Sequence, residues 1–289
     1  MSTQRGNGFG LYIVYLFFRF FGYWGLRIVL WFVVLYFALT TPTLKRHLRK
    51  YYLLNTEKFN FFLYYRHLYT FALVFSDSFL SKRFLSRYHF QMHNSEIVHL
   101  EKGALFLFSH IGDWSMCGLV PTQKDVPINV VMHEATKESI QEFAKSIEDT
   151  TLPSMKIIDL SEGAISVAVR IAKAFQNNEI VAMMADRLVR ADGGVAVEFL
   201  GKSILINKNP FEVAYNRNVP MIALFSLRES DYRYNIYYYT IPPFDLTLPK
   251  EEAISKTAQE YATLLETIVR QYPDQWFNHY DFFASQGDL

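Results

Sequence analysis

The sequence predicts an α/β protein: a largely parallel or mixed sheet flanked by helices, preceded by an aromatic, membrane-associated helical segment. Three observations carry this. The aromatic residues, 26 Phe and 19 Tyr in 289 residues, crowd into the first third of the chain. From Glu101 onward, short apolar runs alternate with amphipathic stretches. Two of those runs stop abruptly on polar residues, His110 and Asp186-Arg187, as strands do where a sheet edge opens onto a site. The expected division is therefore 1–100 as a membrane-associated helical region and 101–289 as the α/β domain.

The formal net charge is only +1, so bulk electrostatics give no reason for a nucleic-acid partner. A hydrophobic content of 51% argues against disorder. The single cysteine, Cys117, excludes an internal disulfide and a multi-cysteine zinc site. It lies in the apolar run after His110 and reads as core packing, with an acyl-cysteine intermediate as the chemical alternative.

The first predicted element is apolar from Gly10 to Leu39, with Arg19 and Arg27 as its only charges. A spanning helix needs roughly 20 apolar residues. Gly22 to Thr40 approaches this, but Arg27 falls inside it, and Trp24, Trp31 and the tyrosines suit a membrane interface. Two geometries stay open: a single tilted span, or a helix lying in one leaflet. No small-residue cleavage site follows, which argues against a signal peptide. The basic run Leu44 to Lys50 comes next. It places the rest of a spanning chain in the cytoplasm and suits anionic headgroups equally well. A second aromatic helix is expected over Tyr51 to Phe79. Deleting residues 10 to 40 is expected to leave a foldable domain.

Strands follow at Ala104 to Ser109, Ile128 to His133, Met155 to Leu160 and Glu179 to Met184, as short apolar runs. Helices are expected from Trp114, over Lys137 to Glu148, and over Glu162 to Asn177, whose Ile165, Val169, Ile171 and Phe175 share a broad face. Val195 to Leu200 and Ile204 to Ile206 flank a Gly201-Lys202 turn. Pro210 opens a short helix, as proline does in a first turn. Met221 to Leu227 and Tyr234 to Thr240 are late strands, and Glu251 to Gln271 closes the chain as a helix.

The chemistry gathers on Ser109-His110-Ile111-Gly112-Asp113-Trp114. A histidine at a strand-to-helix turn sits on rigid elements, and an imidazole titrates near neutrality, as a general base must. The helix expected behind it offers free backbone N–H groups to an oxyanion. Asp113 stands near enough in sequence to hydrogen-bond back to the ring. Gly112 permits close approach. Arg187 and Asp186, at a neighbouring strand end, suit an oxyanion or a charged substrate group. The one His-x-x-x-His spacing, His89 to His93, has Phe90 where a metal-site Glu would stand, and no Gly-x-Ser-x-Gly elbow is present, so no metal, other cofactor or serine nucleophile is expected.

In order and spacing these blocks resemble the bacterial lipid A acyltransferases, the lauroyl and myristoyl transferases of the lysophospholipid acyltransferase superfamily. The resemblance covers almost the whole chain. It is carried by Tyr36-Phe37, by Arg66-His67 with Phe71 and Asp77, and by the His110 motif. Ala185-Asp186-Arg187, Phe199-Leu200-Gly201, Pro210-Phe211 and Tyr272-Pro273-Asp274-Gln275-Trp276-Phe277 complete it. It implies transfer of a fatty acyl chain from an acyl-carrier-protein or coenzyme A thioester to a hydroxyl of a lipid A-like acceptor. The expected location is the cytoplasmic face of a bacterial inner membrane. His110 and Asp113 are then the catalytic candidates. Arg187, Asp186, Trp114, Gly112 and Ser115 are expected around substrate or oxyanion, and Phe199, Gly201 and Phe211 line an acyl slot.

One position departs from the family pattern of histidine, four residues, then an acid: Ser115 stands where the acid belongs. Three explanations stay open. Asp113 serves as the acid from a shifted position, His110 works with weaker support, or catalysis is lost. The last would make the chain a non-catalytic lipid-binding protein. Whether a carboxylate reaches a His110 ring nitrogen discriminates among them.

Overall fold

The computed structural model describes residues 8–97, 103–118, 127–133, 156–188 and 193–283. Three N-terminal helices come first: α1 (Gly8–Thr40), α2 (Pro42–Thr56) and α3 (Phe61–Phe84). Strands β1 (His89–His93), β2 (Ala104–Phe108), β3 (Ile128–Met132) and β4 (Lys156–Asp159) precede α4 (Ala164–Gln176). Then follow β5 (Ile180–Met184), β6 (Gly194–Phe199), β7 (Lys202–Asn207) and α5 (Asn209–Arg217). Strands β8 (Met221–Ser230) and β9 (Arg233–Thr240) and helix α6 (Lys250–Gln271) complete the set.

Seven strands form one mixed sheet in the order β1-β9-β8-β2-β5-β3-β4. Every neighbouring pair is parallel except β8 and β9, which form an antiparallel hairpin. The expected α/β class therefore holds. Central β2, Ala-Leu-Phe-Leu-Phe, is buried at every position, as a parallel strand covered on both faces must be. Its alternate side chains feed two cores. Leu105 and Leu107 join the larger one with α2, α4 and α6, while Phe106 and Phe108 join the other with Trp114. Among the described residues, strands β6 and β7 pair only with each other, across a turn in which Leu200 and Gly201 both take positive φ.

Several elements depart from expectation. The aromatic stretch after Tyr51 is not one helix: α2 ends on Glu57 in left-handed backbone, and Asn60 caps α3 by accepting from Leu63 N–H at 2.9 Å. Strand β1 was not expected, because its mostly exposed pattern lacks the apolar alternation of a core strand. It pairs in parallel with β9 and so brings part of the sheet ahead of residue 101. After His110 the chain forms a short 3-10 turn, Trp114–Gly118, among the described residues. The helix expected over Lys137 to Glu148 and the side chain of Cys117 lie outside what is described.

Helix α1 breaks at Gly22, whose φ of 60° leaves the helical region. Beyond it, Leu26, Leu30, Val34 and Ala38 recur every fourth residue on one buried face. Val34 and Ala38 belong to the same core as β2 and α6. Tyr23 meets a buried carboxylate, Asp77 of α3, which also accepts from Tyr88 at 2.8 Å, Tyr234 at 2.7 Å and Arg228 Nε at 3.1 Å. One fully buried acid thereby ties two N-terminal helices to the sheet.

Candidate active site

Strands β2 and β5 are parallel neighbours with Phe108 opposite Met184. Extending both chains past that pair brings His110 and Asp186 together. Asp186 Oδ1 lies 2.8 Å from His110 Nδ1, and its Oδ2 accepts the His110 backbone N–H at 2.9 Å. Oδ2 also accepts from Trp276 Nε1 at 3.3 Å and Asn278 Nδ2 at 3.2 Å. The carboxylate is wholly buried, whereas 27% of the His110 side chain is exposed. Burial alone opposes charge on Asp186, but the His110 ring, the hydrogen bonds from His110 and the Arg187 charge more than offset it. Its carboxyl is held down at about 2.

An ionised carboxylate only accepts hydrogen bonds, so Nδ1 carries the ring proton and Nε2 presents its lone pair outward. Among the described residues no group bonds Nε2.

The chain after α6 builds the opposite wall. Phe277 N–H donates to His110 O at 2.6 Å, and Gly112 N–H donates to Gln275 O at 2.8 Å, so residues 275–277 run antiparallel to the His110 turn. Gln275 is itself fixed on both sides by the Arg228 backbone, at 2.9 and 2.8 Å. Asn278 has a double role. Its amide donates to Asp186, while its Oδ1 accepts from Arg187 at 2.6 and 3.1 Å. Arg187 also lies 4.8 Å from the centroid of the Tyr280 ring, a cation–π distance.

The expected Asp113–His110 bond is not formed. Asp113 Oδ1 accepts instead from Ser115 N–H at 3.0 Å and Ser115 Oγ at 2.5 Å, capping the 3-10 turn. Its Oδ2 is buried without a partner, and burial pushes its carboxyl up to about 7 despite the Ser115 bonds. The physical reason is local: the turn curls the carboxylate forward onto Ser115, away from the ring. Ser115, expected beside substrate, spends its hydroxyl on this cap.

The turn's backbone donors are also taken. The N–H groups of His110, Gly112, Asp113, Ser115 and Met116 all have protein acceptors. Those expected to face an oxyanion are thus largely committed, and Arg187 is the charge that remains. Gly112 has φ +60°, and a Cβ there would fall 1.9 Å from Ser226 O. The close approach it permits is by β8 backbone. Trp114 is half-buried and packs on Phe108, with ring centroids 6.0 Å apart.

Of the slot candidates, Phe199 packs against Trp276, with ring centroids 5.2 Å apart and planes tilted by 51°, and so joins the wall behind Asp186. Phe211 is a fully buried core residue packed on Tyr261. Gly201 sits in an exposed hairpin turn with open space around it. Neither Phe211 nor Gly201 has the placement expected of a slot lining.

Trp276 belongs to a block already singled out in the sequence, but Asn278 does not. Its signal is faint: one polar residue after an aromatic run, with nothing local to show that it will be buried.

No curated relative aligns with the chain at a significant level. Residues 67–279, most of the chain and all of the site just described except Tyr280, match the family described as Bacterial lipid A biosynthesis acyltransferase. With the His110 turn, the Asp186-Arg187 strand end and the C-terminal wall all inside that match, the chain belongs to the bacterial lipid A biosynthesis acyltransferase family.

Proposed function

We propose that this acyltransferase moves a fatty acyl chain from an acyl-carrier-protein or coenzyme A thioester to a hydroxyl of a lipid or glycolipid acceptor. The reading is carried by one observation, the 2.8 Å contact between buried Asp186 and the part-exposed His110 ring. The acceptor O–H gives its proton to Nε2 as its oxygen attacks the thioester carbonyl carbon. The tetrahedral intermediate collapses, the C–S bond breaks, and the leaving thiolate takes the proton back from the ring. Asp186 holds Nδ1–H and stabilises the imidazolium between these steps. Arg187, steadied by Asn278, is the positive charge nearest the developing oxyanion.

No step draws on a metal or cofactor. The site works at a membrane, on the cytoplasmic face of a bacterial inner membrane, where lipid acceptor and soluble donor meet. A non-catalytic lipid-binding role had Ser115 as its support, and Asp186 supplies the carboxylate that Ser115 lacks.

The test is acyl transfer in membranes with the His110→Ala and Asp186→Asn variants. Each is expected to lose about 10²- to 10⁴-fold in rate while retaining the wild-type melting profile, or close to it for Asp186→Asn. Near wild-type transfer by His110→Ala would overturn the assignment.

A further inference from the structure

The segment Tyr12–Thr40 is long and apolar enough to cross a membrane by length and composition. Its packing argues for another geometry. The middle of that segment carries Arg27, which pairs at 2.9 Å with Asp231 in the turn between β8 and β9. Asp231 also accepts from Arg228 at 2.7 Å, and Arg228 bonds the buried Asp77 that holds Tyr23. At the far end, Thr41 bonds Tyr64 at 3.0 Å, and Ala38 sits in the core shared with β2.

Both ends of the stretch from Tyr23 to Thr41 are therefore fastened to α3, and they reach the sheet domain through Arg27 and Asp77 at one end and through α2 at the other. A helix crossing a bilayer parts its ends by roughly 30 Å of hydrocarbon, with water on each side. A straight crossing over Tyr12–Thr40 is broken at Gly22, and a crossing over Tyr23–Thr41 would draw the Arg27–Asp231–Arg228 cluster and the β8–β9 turn into the hydrocarbon with its first turns. Neither charged groups nor open backbone is tolerated there.

The outer face of the same helix is largely exposed. Phe20 is 72% exposed, Trp24 71% and Leu39 69%, with Trp31, Phe32 and Tyr36 between them. Tryptophan and tyrosine suit the headgroup boundary rather than the hydrocarbon centre. Next in the chain, α2 turns Lys45, Arg46 and Arg49 outward, which complements an anionic lipid surface. The inner side of α2 leads to the site: Tyr51 lies 5.1 Å from Trp276, and Lys50 pairs with Asp281 at 3.1 Å, three residues past Asn278.

We infer that α1 lies in the plane of one leaflet of an anionic bilayer, outer face down, with α2 on the headgroups. The chain does not cross, and the C-terminal wall of the site stands beside the lipid surface. The inference rests on the membrane-bound reading above and specifies its geometry.

The test uses the full chain with Cys117→Ser and Ser2→Cys, expressed in bacteria and probed in spheroplasts with a membrane-impermeant maleimide. The expected result is that the protein sediments with membranes and Ser2→Cys is labelled only after lysis. Purified protein is also expected to float with vesicles containing phosphatidylglycerol better than with phosphatidylethanolamine alone. Labelling in intact spheroplasts would overturn the single-leaflet geometry and leave membrane attachment standing. A soluble protein that forms dimers through this face and ignores vesicles would overturn both.

Discussion

His110 Nδ1 and Asp186 Oδ1 stand 2.8 Å apart because β2 and β5 are parallel neighbours in matched register, although the two residues are 76 positions apart in the chain. In the proposed mechanism the base and its orienting acid thus sit just past the ends of two adjacent strands rather than on one turn. Positioning of this kind is what general-base catalysis needs.

Asp113→Asn separates the two carboxylates by role. Acyl transfer is expected to stay within a few-fold of wild type, since an amide oxygen still accepts from Ser115, whereas Asp186→Asn cripples it. A large loss in Asp113→Asn with no change in melting would return Asp113 to the catalytic machinery.

The same variant carries a pH signature. In the folded chain the Asp113 carboxyl is raised from 3.8 to about 7, chiefly by burial. Between these values the unfolded chain has lost the proton that the folded chain keeps. Stability contributed by Asp113 is therefore greatest below about pH 4 and lost as pH rises towards 7, by on the order of a few kcal/mol. His279, lowered to about 4 mainly by burial, works in the opposite sense, adding stability as pH rises from about 4 to 6.5. Thermal melts of wild type and Asp113→Asn from pH 4 to 8 isolate the first effect. The variant is expected to gain relative to wild type across that range.

Gly112→Ala probes the turn. The new methyl meets Ser226 O at 1.9 Å and imposes left-handed backbone on a Cβ-bearing residue. A loss well above about 1 kcal/mol is expected, read as a lower denaturation midpoint, together with lost transfer. A stable, active Gly112→Ala enzyme would mean that β8 yields at this point.

Asn278→Ala removes the link between Asp186 and Arg187 without touching either. A fall in kcat of about tenfold is expected, since the change removes one hydrogen bond to Asp186 and two from Arg187 and so loosens the placement of both. Asn278→Gln is expected to restore little, because the longer amide does not fit both partners. If kcat holds and only stability falls, Asn278 is structural alone.

Removing the Asp77 charge tests how α1 is held. Asp77→Asn leaves Asp231 as the remaining carboxylate on the buried Arg228 guanidinium and takes the charge from the acceptor of Tyr23, Tyr88 and Tyr234, which is expected to cost up to about 3 kcal/mol. Limited proteolysis is expected to cut first in the α1 region. Deleting residues 10–40, which removes Val34 and Ala38 from the main core, is expected to unfold the domain rather than release it intact.

Much of this protein was legible in the sequence because the relevant signals are local. Apolar runs and amphipathic spacing located eight strands and the closing helix, since burial on one face or two leaves its period in the chain. Both site strands ended where expected, at His110 and at Asp186-Arg187, because a change from apolar to polar marks the edge of a core. The family's ordered blocks named the chemistry. Strand β1 left no such mark, for a mostly exposed edge strand needs no apolar alternation.

Other features were decided only by the tertiary structure. Asp113 is near His110 in sequence, but one turn's curl gave its carboxylate to Ser115, and strand register brought a distant aspartate to the ring. Gly112 was legible as a close approach but not as an approach of β8. The face of α1 that meets protein and the face left open are equally apolar, so composition could not tell a span from a helix lying on the domain. The proposed geometry rests on Arg27 meeting Asp231 in the β8–β9 turn and on Tyr23 meeting Asp77, which itself bonds Arg228 and Tyr234 of the sheet. Pairings between remote segments are fixed by the register and packing of the whole fold, and no local pattern records them.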